Sequence, residues 1–305
     1  MKTYVVIFCC LLSAVVFANN DRFKSEIFND VEVETNVLYG SAYTQGGVLE
    51  ELYMDVYQPV GDTMKERPLV VLGHGGYFFI GDKSDFHEEC MALARAGFVA
   101  VTIDYRLIDV VDDSFYVAKR AVIDAIADMK ASVRYFYKDA ATQNKYRINT
   151  DNIFIGGYSA GAITSLHYAY ANTKEDIIKM GGTPMLEYIQ KQGGLEGKSG
   201  NPGYPSKIHG VINIAGSLLQ ADMVDKNEPP LFSIHGTADD IVPYNEGFAG
   251  TTKVLTQGSG LIHQRAASIG LNNHLKRLDN MDHFGFLDCN ECMSEIMLFL
   301  STLIR

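Results

Sequence analysis

The chain offers no apolar run long enough to cross a bilayer. The run at its start, Tyr4 to Phe17, covers about 14 residues against the roughly 20 a spanning helix needs. Preceded by Lys2 and closed by Val16-Phe17-Ala18 before Asn19, residues 1–18 read as an export signal, which makes the mature chain secreted or periplasmic. Val6-Ile7-Phe8 lacks the small residues that processing at a lipid-anchored Cys9 would want. Positive charge is also in short supply. Lys and Arg number 26 against 37 Asp and Glu, a formal charge of −11 that becomes about −12 without Lys2, which speaks against nucleic acid or an anionic membrane as partner. Repeats and low-complexity tracts are missing, and 47 % of residues are apolar, so one sizeable core is expected over residues 19–305. Cysteine is scarce too. Beyond the first eighteen residues only Cys90, Cys289 and Cys292 remain. Cys90 lies on the stripe Phe86, Cys90, Leu93, Ala94 and is expected as a buried thiol. The Cys289-x-x-Cys292 pair in an exported chain suits a local disulfide better than a zinc site, with pairing of either to Cys90 as the alternative.

What is present is an alternation of short apolar runs with helical periodicity. Val31–Tyr39 and Glu50–Tyr57 alternate as edge strands or an opening hairpin would. Leu69-Val70-Val71-Leu72 is continuously apolar, as in a strand covered on both faces, and runs into His74-Gly75-Gly76. A helix over Asp85–Ala96 stops at Gly97 and leads into a strand over Phe98–Tyr105. Ala118, Ala121, Val122, Ala125, Ile126, Met129, Val133 and Phe136 mark a long helix. Strands follow at Asn152–Gly156, Val211–Ala215, Leu231–Ile234 and Leu275–Leu278, with helices after Ser159, over Ser259–Ile269 and over Cys292–Ile304. Residues 172–206 interrupt the rhythm with Gly181-Gly182, Gly193-Gly194 and Pro202-Gly203-Tyr204-Pro205, and read as a short cap-like insertion. The expected class is α/β, a mostly parallel central sheet covered by helices on both faces.

Gly157-Tyr158-Ser159-Ala160-Gly161 is G-x-S-x-G at a strand-to-helix junction. Such a turn strains the serine backbone and lifts its hydroxyl clear of the sheet, and glycines on either side let neighbouring chain pass close. A serine needs a base and an acid to be a nucleophile. His283, on the loop after the last short strand, is the candidate base; His263 and His274 are placed worse. The acid is expected between them in chain order, in His235-Gly236-Thr237-Ala238-Asp239-Asp240-Ile241-Val242-Pro243, and spacing alone leaves Asp239 and Asp240 both open. Two sources of oxyanion donors fit, the Ala160 amide at the helix start and the main chain of the Gly75-Gly76 loop.

Together, His74-Gly75-Gly76-Tyr77-Phe78, Gly157 to Gly161, His235 to Asp239 through Val242-Pro243, and His283 resemble the α/β-hydrolase superfamily over nearly all of the mature chain, and within it the carboxylesterases of the hormone-sensitive-lipase-like and secreted feruloyl or acetyl-xylan esterase groups. The resemblance implies an α/β-hydrolase fold, a serine hydrolase acting on carboxylic esters, Asp239 as the acid of the triad, and oxyanion donors from the amides of Gly76 and Tyr77 beside that of Ala160. Tyr77 departs from the family's loop, where a third glycine is common; its N–H remains available, but the loop's course and the pocket's width now depend on that side chain. Asp104 and Arg106 fit a loop-bracing role.

This chemistry requires no metal and no organic cofactor. The expected substrate is a small-molecule or carbohydrate-linked ester with a short acyl group, since no extended greasy lid is evident. The alternatives are a serine peptidase of the same fold, for which the chain leaves no room for a propeller-sized gating domain, and a catalytically silent hydrolase fold used for binding.

Overall fold

The computed structural model describes residues 21–111, 115–250 and 252–305, the side chain of residue 115 aside; the expected export segment, residues 1–18, lies outside them. The strands are β1 (Val31–Tyr43), β2 (Leu49–Pro59), β3 (Arg67–Gly73), β4 (Val99–Ile103), β5 (Ile148–Tyr158), β6 (Gly210–Ile214), β7 (Ser217–Leu218), β8 (Leu231–Gly236), β9 (Glu246–Phe248), β10 (Leu255–Gly258) and β11 (Asn273–Leu278). The helices are α1 (His87–Arg95), α2 (Phe115–Ala141), α3 (Ala160–Tyr170), α4 (Lys174–Lys191), α5 (Ser259–Ile269) and α6 (Cys292–Leu303). Among the described residues, eight strands form one sheet in the order β1-β2-β4-β3-β5-β6-β8-β11. In it β2 runs antiparallel to both neighbours and every other pair is parallel. This is the α/β-hydrolase fold.

The continuous apolar runs have the cause expected of them. Along β3, Leu69 and Val71 enter the core on one face, while Val70 and Leu72 enter the core on the other. Strands buried on both faces cannot alternate with polar residues. One face is covered by α1 and α6, through Cys90, Leu93, Ile296 and Leu300; the other by α2, α3 and α5, through Ala125, Met129, Leu166 and Ile262. Cys90 is a buried free thiol, and Cys289 and Cys292 are bonded to each other.

Two features were not foreseen. The stretch 172–206, expected as a short cap-like insertion with no helix assigned to it, contains α4, which opens with a capping box at Thr173 and Asp176 and bends where Gly182 adopts a positive φ of 67°. It lies against α2 and buries Ile177, Met180 and Met185. A second small sheet, β7-β10-β9, stands beyond the end of β6.

Candidate active site

The site stands at the carboxyl ends of β3, β5, β8 and β11, where a parallel sheet delivers its loops to one rim. Ser159 sits between β5 and α3 with φ 54° and ψ −113°, a conformation that a residue with a side chain holds only under constraint. The constraint is visible: its N–H donates to Ile214 O at 2.9 Å, and α3 crosses β3 almost backbone to backbone. A Cβ on Gly161 would lie 1.9 Å from Gly73 O, and one on Gly157 2.4 Å from the same atom. That is why both glycines of G-x-S-x-G are needed here.

His283 is brought to the serine by the loop after β11. Its Nε2 lies 3.0 Å from Ser159 Oγ and its Nδ1 2.7 Å from Asp239 Oδ2. The ring packs at 5.0 Å from that of Tyr158, whose hydroxyl donates to His283 O. The acid loop and the histidine loop are fastened together. Ala238 N donates to Met281 O, Asn280 N donates to Thr237 Oγ1, and a Cβ on Gly236 would lie 2.3 Å from the carbonyls of Met281 and Asp282.

Of the two adjacent acids, the structure brings Asp239 to His283 and leaves Asp240 exposed. Asp239 Oδ1 accepts from the amides of Ile241 and Val242 at 2.9 and 2.8 Å, while Oδ2 faces His283 and, at 3.1 Å, His235 Nε2. Burial by itself would raise this carboxyl, but the hydrogen bonds from His235 and His283, with the charge of His283 and the Val242 amide, outweigh it and hold Asp239 far below the usual carboxylate range.

The loop after β3 passes beside the serine, close enough that a Cβ on Gly75 would lie 3.4 Å from Ser159 Cβ. Gly76, Tyr77 and Phe78 all take positive φ, 105°, 57° and 64°, and Gly76 O closes the turn by accepting from the amides of Phe79 and Ile80. Tyr77 thus occupies a left-handed position that glycine would fill without strain. Among the described residues, no acceptor takes the N–H of Gly76, Tyr77 or Ala160. Three unpaired donors at a helix start and an adjoining turn can serve an incoming anion. The loop is braced from below. Tyr105 stacks on His74 at 4.3 Å and donates to His74 O, and Ile108 N donates to Phe78 O. Arg106 is buried against Asp128 at 2.8 Å, and Asp104 accepts from Lys83 N, so both residues brace the loop and neither meets Ser159.

From Ser159 an apolar pocket of about 80 Å³ runs inward, bounded by Tyr77, Phe78, Ile163, Met180, Val254 and Thr256. Its far wall includes His167, which burial pulls down to about 4, leaving it a neutral ring whose Nδ1 donates to Ile163 O. Met180 comes from α4, so the insertion does close part of the pocket.

The match of a family model now bears on this geometry. The BD-FAE model matches residues 54–217, more than half of the chain, taking in the loop after β3 and the Ser159 turn. The chain belongs to the BD-FAE family. This is an esterase-like group of α/β hydrolases. Solved structures similar to this BD-FAE chain include a truncated carbohydrate esterase from gut microbiota, 18 % identical over 91 % of this chain and 97 % of that one, with a TM-score of 0.61. Esterase 2 of Thermogutta terrifontis phosphoramylated by tabun is 19 % identical over 88 % and 92 %, TM-score 0.62, and its propionate-bound form 19 % over 88 % and 92 %, TM-score 0.60. At such identities the likeness carries the fold. No match is found among curated proteins.

His235 is a polar contact of the site to which the sequence assigns no role of its own, and the structure includes it in β8, one residue past the expected strand. Its signal was the motif itself, in which the histidine stands four residues before the acid.

Proposed function

We propose that this chain is an exported serine carboxylesterase that hydrolyses short acyl esters, carbohydrate-linked ones included, through Ser159, His283 and Asp239. The observation that carries the reading is the unbroken succession of Ser159 Oγ, the His283 ring and the Asp239 carboxylate at 3.0 and 2.7 Å. Ser159 Oγ attacks the ester carbonyl carbon as its proton passes to His283 Nε2, and the carbonyl oxygen becomes an anion facing the amides of Gly76, Tyr77 and Ala160. Asp239 holds the Nδ1–H and stabilises the imidazolium. The tetrahedral intermediate collapses, the alcohol leaves with the proton from His283, and an acyl group remains on Ser159. Water, deprotonated by His283, repeats the sequence and releases the acid. Every step is carried by side chains and amides of this chain.

The acyl group is assigned to the pocket of about 80 Å³, room for a few carbons. Relatives of this fold include a carbohydrate esterase and an esterase seen with propionate and butyrate, which supports short acids as products. Export rests on residues 1–18 and is tested by whether the mature chain begins at Asn19. For the activity, the purified protein is assayed on p-nitrophenyl acetate, butyrate and octanoate and treated with a fluorophosphonate. Hydrolysis falling from butyrate to octanoate, with the label on Ser159, is expected. A protein that neither hydrolyses nor labels is a silent binding module, and one that prefers aminoacyl amides is a peptidase.

A further inference from the structure

Asp239 has a second histidine, and the mechanism above does not use it. His235 is buried in β8, with Nε2 3.1 Å from Asp239 Oδ2 and 3.0 Å from Val242 O, and Nδ1 2.8 Å from Ser259 Oγ. Ser259, the first residue of α5, also meets Asn213 Nδ2 at 3.0 Å. Asn213 Nδ2 lies 2.8 Å from Ser233 Oγ, and Asn213 Oδ1 accepts from Gly216 N at 2.9 Å. All four of these side chains, Asn213, Ser233, His235 and Ser259, are shut off from solvent.

The directions of these bonds follow from one fixed donor. A backbone N–H can only donate, so the Gly216 amide identifies the Asn213 oxygen and leaves the Asn213 nitrogen as donor to both serines. Ser259 Oγ therefore accepts from Asn213, and among the described residues His235 Nδ1 is the acceptor within reach of its own hydrogen. Nδ1 must then be bare and Nε2 must carry the proton. That agrees with what Nε2 faces, a carboxylate oxygen and a carbonyl oxygen, both of which only accept.

We propose that His235 is a positioning residue for the catalytic acid: held as the Nε2–H tautomer by the relay from Gly216 through Asn213 and Ser259, it gives Asp239 Oδ2 a second N–H donor opposite His283. The inference rests on the function proposed above. Two amides on Oδ1 and two imidazoles on Oδ2 fill the lone-pair directions of the carboxylate, so it cannot turn about its own bond when His283 changes charge. This second donor also shares the charge that Oδ2 would otherwise direct wholly at His283. Without it, the imidazolium form of His283 gains attraction and the base is neutral only at higher pH. Among the described residues, the other titratable groups around these three side chains include Tyr158 from the end of β5, against the His283 ring, Tyr244, whose ring meets that of His235 edge-on at 5.6 Å, Asp240 next to Asp239, and Asp282 next to His283, and the variants below leave all of them in place.

The test uses the whole mature chain and two substitutions. In His235→Leu the donor is gone; in His235→Gln an amide N–H replaces it. The Leu variant is expected to lose about tenfold to a hundredfold in kcat, the range carried by a hydrogen bond to a charged group, with KM little changed and the acid limb of kcat/KM moved to higher pH. The Gln variant is expected to recover most of both. A folded Leu variant with the wild-type kcat and acid limb overturns the proposal. Equal losses in Leu and Gln with the limb unmoved also overturn it, since packing alone would then explain them. Nitrogen-15 NMR of histidine-labelled wild-type protein reads the tautomer with no variant that might fail to fold: a bare Nδ1 and a protonated Nε2 on His235 are expected, and the reverse tautomer sinks the idea. The same spectra follow His283 in the variants without substrate. Should the wild type hydrolyse no ester, the proposed function fails while these signals still decide the role of His235.

Discussion

Helix α3 separates two hollows that resemble each other only in being hollow. At its first turn, Ser159, Ala160 and Ile163 border the pocket of about 80 Å³; at its last, Tyr168 and Ala169 border an open groove of about 1090 Å³ that also includes Asn172, Ser206 and His209. The groove is far larger and contains both a serine and a histidine. Yet Ser206 donates to Glu196 and His209 Nδ1 accepts from the Ile153 amide, so neither serves the other. The helix adds a sign to the difference. Its N-terminus, with free amides, favours an oxyanion; its C-terminus presents carbonyls and disfavours one. Volume therefore says little about where the chemistry is, and the residue types say little until their partners are known.

The comparison can be broken most directly by moving the same substitution between the two hollows. Ser159→Ala is expected to lower kcat on p-nitrophenyl acetate on the order of 10⁶-fold, the scale seen when a triad nucleophile is removed, with the thermal midpoint little changed. Ser206→Ala, in the groove, is expected to leave kcat/KM within about twofold. Equal losses would place the reaction in the wrong hollow. Next in size comes the acid. Asp239→Asn should cost about 10⁴-fold in kcat by leaving His283 in the wrong tautomer. Asp240→Asn, one residue away and exposed, should cost less than about threefold; the opposite order would exchange the two assignments. Acid stability follows the same residue. Because Asp239 is held far below its ordinary value, its contribution is present above about pH 4, the unfolded carboxylate value, and is lost as pH falls below it. Urea titrations should show a shallower loss below that pH in Asp239→Asn.

Backbone geometry distinguishes the hollows as well. A Cβ on Gly161 would meet Gly73 O at 1.9 Å, while Gly203, at the groove, has a φ of 86° and no heavy atom within 4 Å of the added carbon. Gly161→Ala is expected to cost about 3 kcal/mol in urea unfolding because two main chains must part. Gly203→Ala should cost about 1 kcal/mol, the strain of a left-handed alanine. Similar costs would mean that the close crossing of α3 and β3 does not hold the serine turn.

How much of this the sequence shows depends on the range over which each feature is encoded. Leu69 to Leu72, the long apolar stripe of α2 and the Gly157 to Gly161 turn are each written in a few neighbouring residues, and all three are found where expected. The small sheet is not, because β7 pairs with β10 some forty residues on and neither is long enough to show a pattern. Helix α4 is hidden by Gly181-Gly182 and Pro184, which read as a loop until Ile177, Met180 and Met185 are seen to pack on a neighbour. The choice of Asp239 over Asp240 needed a resemblance, since two adjacent carboxylates differ only in what the fold aims them at. His235 stayed unread for the same reason: its partner Ser259, and Asn213 that bonds Ser259 in turn, come from two other elements.

The smallest effect concerns selectivity, and it bears on the pocket alone. Ile163 lies one turn beyond Ser159 on α3, about 6 Å along the axis, so its side chain flanks the space an acyl group would enter just past the carbonyl. Ile163→Phe fills that space from the side while leaving the triad and the loop amides in place. An acetyl group ends before the new ring and a butyryl group does not. The butyrate-to-acetate ratio of kcat/KM should therefore fall about tenfold, at the low end of what one or two methylenes are worth in a hydrophobic site. Tyr204→Ala, which removes an aromatic ring from the groove, should leave the ratio where it was. If the groove variant changed acyl preference and the pocket variant did not, the acyl chain would be leaving Ser159 by another route, and the pocket would belong to the alcohol instead.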